Sequence, residues 1–134
     1  MSDTVVVGWI RGPEGEAAIE AAVEETRRRN GRLIIVHSSR GGDEKDAAAV
    51  VEVRDALAEL EARLGREGLH LTVRDYVRGN EPAEDLIEVA ERENAALIVI
   101  GLRRRSPVGK LLMGSNAQAI LLRAGCPVLA VKAK

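Results

Sequence analysis

Aromatic residues are almost missing from the 134-residue chain: Trp9 and Tyr76 are the whole aromatic complement, and there is no Phe. Modules that hold single-stranded nucleic acid by stacking bases on several aromatic side chains therefore lack their parts. The single cysteine, Cys126, cannot form an internal disulfide and supports no Cys-based metal site, which fits a reducing cytosolic compartment. Neither sign of charge prevails, since 20 Lys and Arg stand against 21 Asp and Glu for a formal net charge of −1. That balance argues against duplex DNA or an anionic membrane as a partner, and any basic site has to be local. No apolar run approaches the ~18 residues that would span a bilayer, and no basic-then-apolar signal pattern opens the chain, so a soluble, cytoplasmic protein is expected.

What is present has the composition of a folded domain, 46% apolar and 31% charged, and its length suits one domain over residues 1–134. Thr4-Val5-Val6-Val7-Gly8-Trp9 is a nearly continuous β-branched run, the pattern of a strand covered on both faces. Similar runs recur at Leu33–Val36, Leu97–Ile100 and Val128–Val131, whereas Leu69–Tyr76 alternates more and suits an outer strand. Helical spacing fills the intervals at Pro13–Asn30, Asp46–Glu67, Pro82–Asn94 and Ser115–Arg123. Pro13 and Pro82 suit first helical positions, and Asn30-Gly31 and Gly65 to Gly68 supply left-handed C-terminal caps. Val50, Val53, Leu57, Leu60 and Leu64 predict one apolar stripe on the second helix. Its Glu52, Arg54, Asp55, Glu59 and Arg63 read as a solvated charged face. Strict alternation of strand and helix predicts a doubly wound, Rossmann-like α/β domain, its sheet parallel and helices on both faces. The stretch from Ser38 to Asp46, with Arg40-Gly41-Gly42-Asp43, is linker-like but too short to separate domains.

In such a sheet ligands bind beyond the carboxyl ends of the strands. Three segments qualify: Ile10–Glu14, His37–Arg40 and Gly101–Ser115. The third carries Gly101, Arg103, Arg104, Arg105, Gly109, Lys110, Gly114 and Ser115, then Asn116, as it enters a helix. Gly101 and Gly109 are read as positions of unusual backbone angle, Gly114 as a place of close approach, and Gly114-Ser115-Asn116 as free N–H groups at a helix N-terminus. Glycines, cations and a helix start together suit a di- or triphosphate. Alternatively, Ser115 caps the helix and the arginines form a solvated loop. His37 and His70 lie on different strands and make no zinc pair. Gly109-Lys110 is followed by Leu111, not Ser or Thr, so no Walker-type phosphate loop is present. Cys126 reads as a small buried hydrophobe, and no Ser-His-Asp set can be assembled.

The Gly101–Ser115 loop, the following Ala117-Gln118-Ala119-Ile120-Leu121-Leu122 and the closing Cys126-Pro127-Val128-Leu129-Ala130-Val131 resemble the C-terminal signature of the universal stress protein family. The opening strand, Gly79-Asn80-Glu81-Pro82-Ala83 and Ala95–Gly101 extend the resemblance over the whole chain. It implies a five-stranded parallel sheet in order 3-2-1-4-5, a homodimer, and a stress-response role without a conventional catalytic centre. The ATP-binding branch of that family shows Gly, two residues, Gly, nine residues, then Gly-Ser or Gly-Thr. Gly101 and Gly114-Ser115 match at that spacing, whereas Arg104 replaces the middle Gly. Where the family often has Asp-Gly-Ser after the first strand, with the Asp helping to hold adenosine, this chain has Ile10-Arg11-Gly12.

The resemblance implies that ATP or another adenine nucleotide, with or without magnesium, is held by backbone groups around Ile10, His37 and Ser38 and by Gly101, Arg103, Arg104, Gly109, Gly114, Ser115 and Asn116. Two readings follow: a nucleotide-binding sensor, or a universal stress protein that binds no nucleotide and acts as a protein-interaction scaffold. The terminal strand, residues 128–132, is apolar and free of Pro, an edge suited to pairing with a second copy.

Overall fold

In the computed structural model, residues 3–39, 47–77, 81–102 and 114–133 are described. Three expected features lie outside them: residues 40–46 of the expected linker, Gly79-Asn80 before the third helix, and residues 103–113 of the glycine- and arginine-rich loop, which include Arg103, Arg104 and Gly109. The strands are β1 (Thr4–Gly8), β2 (Arg32–Ser39), β3 (Leu71–Val77), β4 (Leu97–Leu102) and β5 (Val128–Lys132), and the helices are α1 (Pro13–Arg29), α2 (Ala47–Arg66), α3 (Pro82–Arg92) and α4 (Ser115–Arg123). Every neighbouring pair is parallel, and the order across the sheet is β3-β2-β1-β4-β5.

The continuous β-branched run of β1 has its cause in this order. Val5, Val6 and Val7 are wholly buried because β1 is the central strand and helices cover both its faces. On one face Val5, Val7, Leu33 and Ile35 pack with Ala18, Ile19 and Ala22 of α1 and with Leu57, Leu60 and Leu64 of α2. On the other, Val6, Ile34, Ile98 and Ile100 pack with Leu86, Ile87 and Val89 of α3 and Ile120 of α4. The edge strand β3 is the outer, more alternating one.

Helix punctuation follows the sequence signals. Pro13 opens α1 and Asn30 closes it in the left-handed conformation, its N–H reaching the carbonyls of Thr26 and Arg27. Acidic Glu14 and Glu16 lie in the first turn and Arg27, Arg28 and Arg29 in the last, both favourable to the helix dipole. Pro82 likewise opens α3.

Two expectations are corrected. Strand β2 runs beyond its apolar stretch to Ser39, because β3 pairs with it throughout, placing His37 beside Asp75, Ser38 beside Tyr76 and Ser39 beside Val77. The α2 stripe is buried only from Leu57 onward with Val53 packed against it, while Val50 is 47% exposed. The 20 residues of α2 span about 30 Å, whereas the 7 of β3 span about 23 Å, so the helix start overhangs the sheet. Among the described residues no helix is long and apolar enough to cross a membrane.

Candidate functional site

The sheet order reverses at β1: the chain leaves β1 for β2 and β3 on one side and returns from β3 to β4 on the other, and the crevice at the carboxyl ends of the strands there is the ligand position of doubly wound sheets. A cleft of about 330 Å³ occupies it here, within the ~300–1,000 Å³ typical of small-ligand sites. Trp9, Ile10 and Ser38 line one end, Gly101 with Gly114, Ser115 and Asn116 the other, and Pro82 and Leu86 form a wall.

Helix α1 is pressed into this crevice by two glycines. A Cβ on Gly101 would fall 2.1 Å from the carbonyl oxygen of Glu14, and one on Gly15 would fall 1.7 Å from that of Ile10. The expected role of Gly101 as a residue of unusual backbone angle is thereby corrected. It lies in regular β4 outside the positive-φ set, and its missing side chain admits the α1 backbone. Positive φ falls instead on Gly12, at 114°, where the chain turns into α1.

Gly114, not Ser115, is the N-cap of α4, without a side-chain cap. Ser115 and Asn116 are its first two helical residues, so their N–H groups have no partner within the helix, an arrangement suited to an anion. Among the described residues nothing lies within 4 Å of a Cβ built on Gly114. Asn116 also braces the site from its side chain, since its Oδ1 accepts the Ala83 N–H at 3.2 Å and so ties the starts of α3 and α4 together beside the cleft.

Ser38 and His37 face different ways. Trp9 N–H donates to the Val36 carbonyl at 2.9 Å, so the main-chain groups of Val36 face β1. By the two-residue period of a strand those of Ser38 face the same side, past the end of β1, and those of His37 face β3. The Ser38 hydroxyl donates to Asp85 Oδ2 at 2.5 Å, and Asp85 is wholly buried in the first turn of α3. That contact fixes the β2 end and leaves its backbone for a ligand. The His37 ring lies outside the cleft lining, with Nδ1 2.8 Å from Asp75 Oδ1 and an edge-on contact to Trp9 at 5.7 Å between centroids. It supports the Trp9 wall from behind. Ile10 is 50% exposed at the cleft mouth, an apolar surface for the face of a planar ring.

Sequence reasoning placed Glu14 at the end of a candidate ligand segment without giving it a role, and missed Trp9, Pro82 and Leu86 as lining residues. Cys126 lies elsewhere, half-buried in a second cavity of about 230 Å³ between the ends of α3 and α4, where burial pushes its thiol above the ordinary value. No group of three or more His, Cys, Asp or Glu residues among those described could hold a metal ion.

A doubly wound parallel sheet with a cleft at its switch point and a glycine-capped helix start facing that cleft is the architecture of a Rossmann-like α/β protein. The family model for the universal stress protein family matches residues 1–132, and the chain belongs to that family. It is 42% identical over 130 residues to a universal stress protein of Mycolicibacterium smegmatis, covering 96% of each chain. Among solved structures it is similar to a universal stress protein from Archaeoglobus fulgidus, with TM-score 0.82, 33% identity, and 98% and 99% of the two chains covered. A second, the universal stress protein from the same organism in complex with dAMP, matches with TM-score 0.75 and 28% identity over 98% of both chains.

Proposed function

We propose that the protein binds ATP or a related adenine nucleotide in the β1/β4 cleft as a regulatory ligand, and acts as a dimeric stress-response protein, not as an enzyme. The observation that carries this reading is the α4 start, where Gly114, Ser115 and Asn116 face a cleft whose other end offers apolar Ile10 and the Ser38 backbone. The base lies against Ile10 and Ser38, and the phosphates lie on the α4 N–H groups, where the helix dipole favours negative charge. Arg103, Arg104 and Gly109 complete the phosphate side, with or without magnesium. That the Archaeoglobus fulgidus relative forms a complex with dAMP supports an adenine nucleotide as the class of ligand.

The test is calorimetric titration of nucleotide-stripped protein with ATP, with and without magnesium. Saturable heat is expected. The absence of heat or competition at millimolar ATP returns the protein to the scaffold reading, which the loss of the family's carboxylate at Ile10 favours.

The dimer is proposed through β5. This edge strand carries Leu129, 36% exposed, and on the helix α4 Leu122 is 84% exposed. An apolar edge without Pro is a template for pairing, and a two-fold partner removes it.

A further inference from the structure

Glu14 lines the cleft, and it is the one acidic residue to do so among the described residues. It is half-buried, and no described residue gives its carboxylate a hydrogen bond or an ion pair. The two close approaches fix its place: Gly15 brings the first turn of α1 against the Ile10 carbonyl, and Gly101 brings the end of β4 against the Glu14 carbonyl. The Glu14 backbone therefore stands between the end of β1, where the base is proposed to lie, and the end of β4, which leads to the phosphate side, and its carboxylate Oε2 lies 3.8 Å from the place a Cβ would take on Gly12, at the turn from β1 into α1. The part of a nucleotide that connects base to phosphate is the ribose.

We infer that Glu14 is the residue that reads the sugar, its carboxylate accepting hydrogen bonds from the ribose 2′- and 3′-hydroxyls. This rests on the nucleotide reading above and deepens it. An ionised carboxylate is an acceptor only, and the vicinal hydroxyls of ribose are two donors held side by side. The same charge repels phosphate, so it also orients the ligand with its anionic end toward α4 and away from α1. At position 10 the chain has an apolar side chain and no carboxylate, and Glu14 supplies one from the neighbouring helix. A carboxylate in the first turn of a helix also interacts with the dipole, but Glu16 shares that turn, is exposed and is not part of the cleft lining. It is the internal control.

The experiment is calorimetric titration of nucleotide-stripped wild type, Glu14→Gln and Glu16→Gln with AMP, 2′-deoxy-AMP and 3′-deoxy-AMP, with thermal unfolding run on each variant. Wild type is expected to bind AMP about ten-fold or more tighter than either deoxy analogue, the scale of a hydrogen bond to a charged group. Glu14→Gln is expected to bring the three within about three-fold of one another, and Glu16→Gln to leave the wild-type ratios unchanged. Equal binding of the three by wild type, or full discrimination kept by Glu14→Gln, overturns the assignment and leaves the nucleotide reading standing. Failure of wild type to bind any of the three overturns the nucleotide reading and this inference with it.

Discussion

Replacing Gly15 by Ala sets two physical rules against each other with opposite signs. Gly15 is the third residue of α1, and in a helix interior Ala is more favourable than Gly by about 1 kcal/mol. Propensity alone therefore predicts a more stable protein. The structure predicts the reverse, because the added Cβ would lie 1.7 Å from the Ile10 carbonyl oxygen and 2.9 Å from its carbon. Those are backbone atoms, so α1 has to withdraw from the end of β1 by more than about 1 Å to restore van der Waals contact. Forcing extra atoms into a close-packed site costs about 1–3 kcal/mol, and a clash with backbone belongs at the upper end. Less the propensity gain, the net loss is about 2 kcal/mol. For a chain of this length that is a fall in Tm of roughly 6–10 °C. Gly65 supplies the control, since it lies in α2 with nothing within 4 Å of a built Cβ, and Gly65→Ala should gain the propensity term, up to about 1 kcal/mol. Thermal unfolding of both variants at matched protein concentration decides the matter. A Tm for Gly15→Ala equal to or above wild type refutes the claim that the Ile10–Gly15 contact sets the cleft geometry.

Gly114→Val should leave the unfolding transition within about 1 kcal/mol of wild type, since its backbone is extended and no described residue lies within 4 Å of a built Cβ, but abolish nucleotide binding by filling the proposed phosphate seat; titration with ATP reads the loss. Acid sensitivity has a traceable source in Glu93, whose carboxyl is held below its ordinary value first by the hydrogen bond from Arg32 and then by the charge of Arg74. A depressed carboxylate stabilises the fold fully above its unfolded value, 4.5, and that contribution is lost as pH falls through the folded one; Glu93→Gln should lower urea stability at neutral pH and flatten its fall below about pH 4.5. Leu129→Lys on the proposed pairing edge should convert a sedimenting dimer to monomer at tens of micromolar, and a wild type that already sediments as monomer defeats the β5 proposal.

The features of this fold that were legible in the sequence are those that a single element decides. Val5-Val6-Val7 announces a strand buried on both faces, Pro13 and Pro82 mark helix starts, and alternation of the elements implies a parallel, doubly wound sheet. What was not legible depends on contacts between elements. Strand β2 outruns its apolar residues because β3 pairs beside it, and Val50 is exposed because α2 is longer than the strands it covers. His37 and Ser38 are adjacent, yet only Ser38 lines the cleft, a distinction fixed by which strand each faces. Glu14 is only the last residue of a candidate segment in the sequence until Gly15 and Gly101 are seen to draw its backbone between β1 and β4. A signal was nevertheless present. Gly15 is placed three residues into a helix where many residues are better helix formers, and such a breach of local preference marks a position that the global structure requires. The requirement here is close approach, and what it brings into the cleft is the residue beside it. A glycine that contradicts its own helix is thus evidence about its neighbour: the backbone contact it permits sets Glu14 at the edge of the cleft, within reach of the sugar it is proposed to hold.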